Sequence, residues 1–156
     1  MCKIKERSLG LYDNPPLDFN ATREIAACYS RFEDKYLLLQ RSENSRHQPN
    51  VWGVPGGKVK VNETHFEANL REFHEETGIH LDPEKVSFFK TIYIRDPEFD
   101  FVFHMYTYDF SDQPIVTLCP DEHQSFAWET FENSIKMPLI WGEVEAFEIL
   151  CQAREY

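Results

Sequence analysis

A chain of 156 residues with 42% hydrophobic and 15% aromatic residues has enough apolar material for one domain with its own core, which excludes a disordered polymer. A formal net charge of -11 argues against a nucleic-acid polymer as partner, because that surface needs a basic excess. No apolar run approaches 18 residues and "MCKIKERSLG" lacks an apolar signal core, so the expectation is a cytoplasmic protein with no membrane partner.

In chain order, residues 1–20 read as an irregular lead-in, ending in the turn-rich "YDNPPLDFN". "REIAACYSRF" and "KYLLLQR" then read as a hairpin around Glu33-Asp34. A polar loop follows, and "VWGVPGGK" supplies Trp52 and Val54 as apolar anchors before a Pro-Gly-Gly break. The next segment is a helix: Thr64 and Glu67 form a capping box, Gly78 suits the C-terminal cap, and Phe66, Leu70 and Phe73 make an apolar stripe.

Beyond it, "KVSFFKTIYIRD" and "FDFVFHMYTYDF" read as a second hairpin rich in aromatic and β-branched residues. "PIVTL" and "SFAWETF" are shorter strand candidates. "PLIWGEVEAFEILCQARE" reads as a last amphipathic helix, with Ile140, Val144, Phe147, Leu150 and Cys151 near one face. The order implies an α+β fold: a mixed β-sheet between helices, one domain over residues 1–156. Cys2, Cys28, Cys119 and Cys151 form no C-x-x-C pair and read as free thiols.

The chemistry concentrates in "LREFHEETGI", where Glu72, Glu75 and Glu76 fall at helical neighbour spacing, with Cβ atoms about 5 to 6 Å apart. All three are expected to leave the apolar stripe. Like charges so placed destabilise a helix, and two readings compete: a solvated acidic face, or carboxylates converging on hard divalent cations. His74-Glu75 does not make a zinc H-E-x-x-H motif, because the next histidine is His80; His74 reads as a surface residue.

The segment from Gly57 to Ile79 resembles the Nudix box, G-x5-E-x7-R-E-U-x-E-E-x-G-U, with U a bulky apolar residue. Gly57, Glu63, Arg71, Glu72, Phe73, Glu75, Glu76, Gly78 and Ile79 fill every specified position. Chance agreement is on the order of 10⁻⁹ per starting position. Outside the box, "LLLQRSENSRHQPNVWGVPGGK" looks like the entry loop of MutT-like members, and "DEHQSFAWETFE" like their acidic loop and following strand.

The resemblance implies an α/β/α sandwich and hydrolysis of a nucleoside diphosphate linked to another moiety, with Mg2+ or Mn2+. A (d)NTP pyrophosphohydrolase is the expected kind, a sugar-nucleotide or dinucleoside polyphosphate hydrolase the alternative. A silent sensor or scaffold domain is the alternative of another class. By position, Glu72, Glu75 and Glu76 look like metal ligands, with the Gly56 carbonyl and Glu122 as additions. Arg71 and Glu63 look like orienting residues, with Glu63 also a favourable charge before a helix N-terminus. Glu72 is the first candidate for the base that deprotonates water, Glu122 the second and His123 the third; Glu122 also reads as a plain turn residue.

Arg41 and Lys58 look like phosphate contacts, with Arg46 and Arg23 less specific. The stretch entering the last helix nominates Trp141 and Glu143 for the base, against core packing for Trp141 and solvation for Glu143. The implied partner is a small-molecule nucleotide, bound by a monomer or homodimer.

Overall fold

The computed structural model describes residues 9–154. Strand β2 (Ala21–Phe32) organises the chain, and its tight turn at Glu33-Asp34, with Glu33 at a φ of 55°, returns it as β3 (Lys35–Arg41). The hairpin stays paired only at Arg31↔Tyr36 and Phe32↔Lys35. Nearer its start, β2 pairs instead with β5 (Gly56–Lys58), which follows the short β4 (Trp52–Gly53).

Along its other edge β2 runs parallel to β7 (Asp100–Phe110), whose antiparallel neighbour is β6 (Ser87–Arg95). β8 (His123–Thr130) pairs with β3 along its length. Edge strand β1 (Gly10–Tyr12) closes the order β1-β6-β7-β2-β3-β4. Because β2 exchanges β3 for β5 partway along, β3 and β5 diverge, and the pocket described below lies between them.

Two helices cover the sheet. Helix α1 (His65–Thr77) starts at Thr64, whose hydroxyl accepts from the Glu67 amide at 3.1 Å. It ends at Gly78, whose φ of 73° needs a residue without a Cβ. Ala68 and Phe73 of α1, flanked by Phe66 and Leu70, pack on Ala26, Cys28, Leu37 and Leu39. Alternate residues Ala27, Tyr29 and Leu38, with Phe103 and Met105, face Ala146, Phe147 and Leu150 of α3 (Glu143–Arg154). Slipping β2 by one residue would exchange these faces, so the period-two pattern fixes the register.

Several expectations change. The lead-in is not irregular throughout: Gly10↔Arg95 and Tyr12↔Tyr93 pair as β1, while residues 1–8, including Cys2, lie outside the described residues. "PIVTL" forms no strand; its Thr117 amide donates to the Thr77 carbonyl, fixing it as an extended brace at the end of α1. The last helix begins at Glu143, not near Pro138, because Gly142 adopts a φ of 88° that breaks the turn. Ile140 therefore sits in a loop, its amide donating to the Trp52 carbonyl. A short helix α2 (Phe131–Ser134), capped by Thr130, was not foreseen. Cys28, Cys119 and Cys151 are free thiols, as expected. Among the described residues no helix is long and apolar enough to cross a membrane.

Candidate active site

Arg71 ties the acidic end of the site together. Its Nε and Nη2 grip Glu63 at 2.7 and 2.9 Å, and Nη1 reaches Glu72 at 2.8 Å and Glu75 at 3.1 Å. Nη2 also donates to the Lys58 carbonyl at 3.0 Å, joining α1 to β5. The guanidinium holds the Glu63 carboxyl down at about 2, helped by the Lys60 amide at 3.0 Å. In return Glu63, then Glu72, raise Arg71 above its ordinary value. Glu63 therefore anchors Arg71.

The three helical glutamates do not share one environment. Glu75 has a side chain 50% exposed and meets Arg71, whereas Glu76 is buried at 4%. Glu76 corrects the expectation that all three leave the core face: it turns inward beside Phe73, under β5. Its Oε2 accepts from the Gly56 amide at 3.3 Å and lies 4.0 Å from Nε2 of His123. Burial, then the charge of Glu72, pushes the Glu76 carboxyl well above the usual carboxylate range. Burial also raises Glu72, opposed by Arg71.

Glycine is required where β5 threads between β2 and α1. A Cβ on Gly57 would lie 2.3 Å from the Glu72 carboxyl carbon, and one on Gly56 2.7 Å from the Ala26 carbonyl oxygen. Among the described residues no three carboxylate, imidazole or thiolate side chains stand as a ready ion cage. The chemistry of Glu72 and Glu76 nevertheless fits a hard divalent cation: two crowded carboxylates, one buried with a single backbone donor, supply oxygen ligands and mutual repulsion that a cation relieves.

These carboxylates form one end of a cavity of about 460 Å³. It also takes in Gly56, Gly57, Lys58, Arg41, Glu122 and His123, and reaches Trp141 and Glu143 at the start of α3. Arg41 ends β3 with Nη2 donating to the Ser45 hydroxyl at 2.6 Å and Nε to the His47 carbonyl at 3.1 Å. Glu122 is exposed at the rim, and its carbonyl accepts from the Ser42 amide. His123 lies opposite Arg41 across the strand pair. Burial, then Arg41, pushes its imidazole down to about 4, so it is neutral at pH 7.

Trp141 is 42% exposed rather than packed in the core, its backbone amide donating to Gln48 at 2.8 Å. Glu143 is buried rather than solvated, and its Oε1 has no hydrogen-bond partner. Burial pushes its carboxyl up to about 7, against the opposing pull of the Tyr29 hydroxyl. Glu63, Arg71 and Glu75 stand outside the cavity lining, and Arg46 is exposed away from it. His74 is exposed, as expected, and stacks on His80 at 3.6 Å.

Phe101 and Phe103 also line the cavity, as does Arg23, which the sequence marks only as a nonspecific cation. The two phenylalanines sit in a run that reads as core strand. The usable signal was their alternation with Val102 and His104, which puts both on one face.

Residues 21–149 match the NUDIX domain family. The chain belongs to that family. It is a MutT-like member, similar to the CTP pyrophosphohydrolase of Escherichia coli K12, with 31% identity over 84% of this chain and 95% of the relative. The solved MutT protein of Methanosarcina mazei Go1 superposes with a TM-score of 0.75 at 26% identity, covering 90% of this Nudix chain and all of the other. The m7GpppN-mRNA hydrolase NUDT17 of Danio rerio is 40% identical over 62 residues, 40% of this chain. That match spans about a fifth of the longer relative, 21% of its length.

Proposed function

We propose that this Nudix protein hydrolyses a pyrophosphate bond in a nucleoside triphosphate, as a MutT-like (d)NTP pyrophosphohydrolase dependent on Mg2+ or Mn2+. The observation that carries the reading is the continuous cavity that joins Glu72 and Glu76 at one end to Trp141 and Glu143 at the other. One end suits charged phosphates, the other a flat ring with hydrogen-bonding edges.

Glu72 and Glu76 would hold the cation, with the Gly56 carbonyl and Glu122 as further oxygen donors. Glu75 joins when its half-exposed carboxylate leaves Arg71. A divalent cation bound here supplies charge for the phosphoryl oxygens and lowers the pKa of attacking water. Glu72 takes the water proton: burial raises its basicity and Arg71 fixes its orientation. Glu122, exposed at the rim, is the second choice for that role. Arg41 and Lys58 offset the chain's net negative charge beside the phosphates. Trp141 stacks on the base, and Glu143 accepts from its N–H groups when ionised.

The test is phosphate release, with added inorganic pyrophosphatase, across nucleoside triphosphates, sugar nucleotides and dinucleoside polyphosphates with Mg2+ or Mn2+. Turnover of triphosphates to monophosphates is expected. Turnover confined to the other two classes redirects the substrate assignment, and inactivity on all three makes the domain a silent sensor or scaffold.

A further inference from the structure

Arg23 is held in place but left unsatisfied. Its guanidinium carbon lies 3.9 Å over the Phe99 ring, and its Nε, shut off from water, has no hydrogen-bond partner. The cavity it lines also holds Glu143, whose carboxyl faces the Tyr29 hydroxyl and makes no ion pair with Arg23. A bulge presents the side chain: between Ala21 and Arg23 the register against β7 shifts, so two steps of β2 oppose one of β7. Bulges of this kind bend a strand and re-aim a side chain.

Position decides which part of a nucleotide Arg23 meets. Gly56 pairs with Ala27, and Arg23 lies four residues earlier on β2. At about 3.3 Å per residue that separates the two positions by about 13 Å along the strand. Arg23 is therefore displaced along β2 from the Glu76 carboxylate toward Phe99, Phe101 and Phe103, two residues from Ile25, the partner of Lys58. Aromatic walls suit a planar ring better than a hydrated phosphate, and the guanidinium fork matches two adjacent acceptors in one plane.

We propose, on the nucleotide reading above, that Arg23 selects the base, favouring those with a carbonyl oxygen beside a ring-nitrogen lone pair on one edge. Cytosine and guanine carry that pair; uracil places an N–H donor beside each carbonyl, and adenine, which has no carbonyl, sets its amino donor beside N1 and N7. A donor facing the half-buried fork leaves both unsatisfied, and this mismatch is what discriminates. Glu143 complements the choice for cytosine by accepting from the 4-amino group beside N3; the amino group of guanine lies on the edge away from O6 and N7.

The experiment compares kcat/KM for CTP, GTP, UTP and ATP in wild type, Arg23→Lys and Arg23→Gln, with thermal melts to show that each variant folds. The wild type is expected to favour CTP, GTP or both over UTP and ATP by about 10- to 100-fold. Both variants should lose that preference, falling to the rate of the poorer substrates, and the lysine variant shows that charge without the fork is insufficient. A wild type indifferent to the base, or variants that slow on all four substrates by the same factor, overturns the role of Arg23 and leaves the hydrolase reading standing. If no triphosphate is turned over, the hydrolase reading fails instead. The base choice is then read from calorimetric binding of CMP, GMP, UMP and AMP, where equal affinities overturn it.

Discussion

The two ends of the cavity handle buried charge in opposite ways. Just outside the acidic end, Arg71 spends all its donors on Glu63, Glu72, Glu75 and the Lys58 carbonyl, so the protein itself fixes the geometry. At the other end Arg23 and Glu143 keep polar atoms with no partner, as does Nδ1 of His123 beside Glu76. A preorganised knot suits chemistry in which small displacements are expensive, whereas open valences suit a group that arrives with the ligand. Burial alone does not define function here; the valences that the chain leaves open do.

Glu76→Gln should lower turnover by on the order of 10³-fold with the fold retained, read from steady-state kinetics beside a thermal melt. Glu75→Gln should follow the same direction, and near wild-type turnover in either variant removes that residue from the ligand set. Gly57→Ala tests geometry without removing charge: its methyl would displace the Glu72 carboxyl, and turnover should drop about 10²-fold.

Arg71→Ala should act on stability as well, because three carboxylates lose their shared cation. With Arg71 about one-fifth exposed, we expect a loss of about 2 to 3 kcal/mol in denaturant unfolding. An unchanged midpoint would mean that the knot orients without stabilising.

At the base end the smallest effect follows from Glu143, whose carboxyl rises from an ordinary 4.5 to about 7. The folded protein keeps a proton that the unfolded chain has lost, so stability falls as pH rises between those values and is level outside them. Glu143→Gln should flatten that fall by about 1 to 2 kcal/mol, the open cavity moderating the cost of ionisation. Parallel pH profiles of wild type and variant would contradict a buried Glu143.

The acidic end was legible in the sequence because its chemistry is local. Helical spacing alone puts Glu72, Glu75 and Glu76 together, and Thr64 and Gly78 mark the helix that carries them. Which of the three is buried was not legible, since the covering strand β5 comes from a segment whose pairing with β2 is a tertiary choice. The base end is assembled from β2, β7 and the loop before α3, so no short spacing reveals it. Phe101 and Phe103 resemble core residues because one side of each is core. Glu143 and Trp141 were found through family position, and their burial and exposure only through the fold. The strand at Gly10–Tyr12 escaped notice because three residues carry too little periodicity to stand out from a turn-rich lead-in.

The central claim is that the crowded carboxylates serve a divalent cation at which a pyrophosphate bond is cut. Its most direct test is nucleotide turnover during chelation by EDTA and stepwise restoration with Mg2+ or Mn2+. The account predicts that chelation abolishes hydrolysis in the wild type, that either cation restores it saturably, and that Glu76→Gln stays inactive at the restoring concentration. Wild-type hydrolysis that persists undiminished under chelation would contradict it.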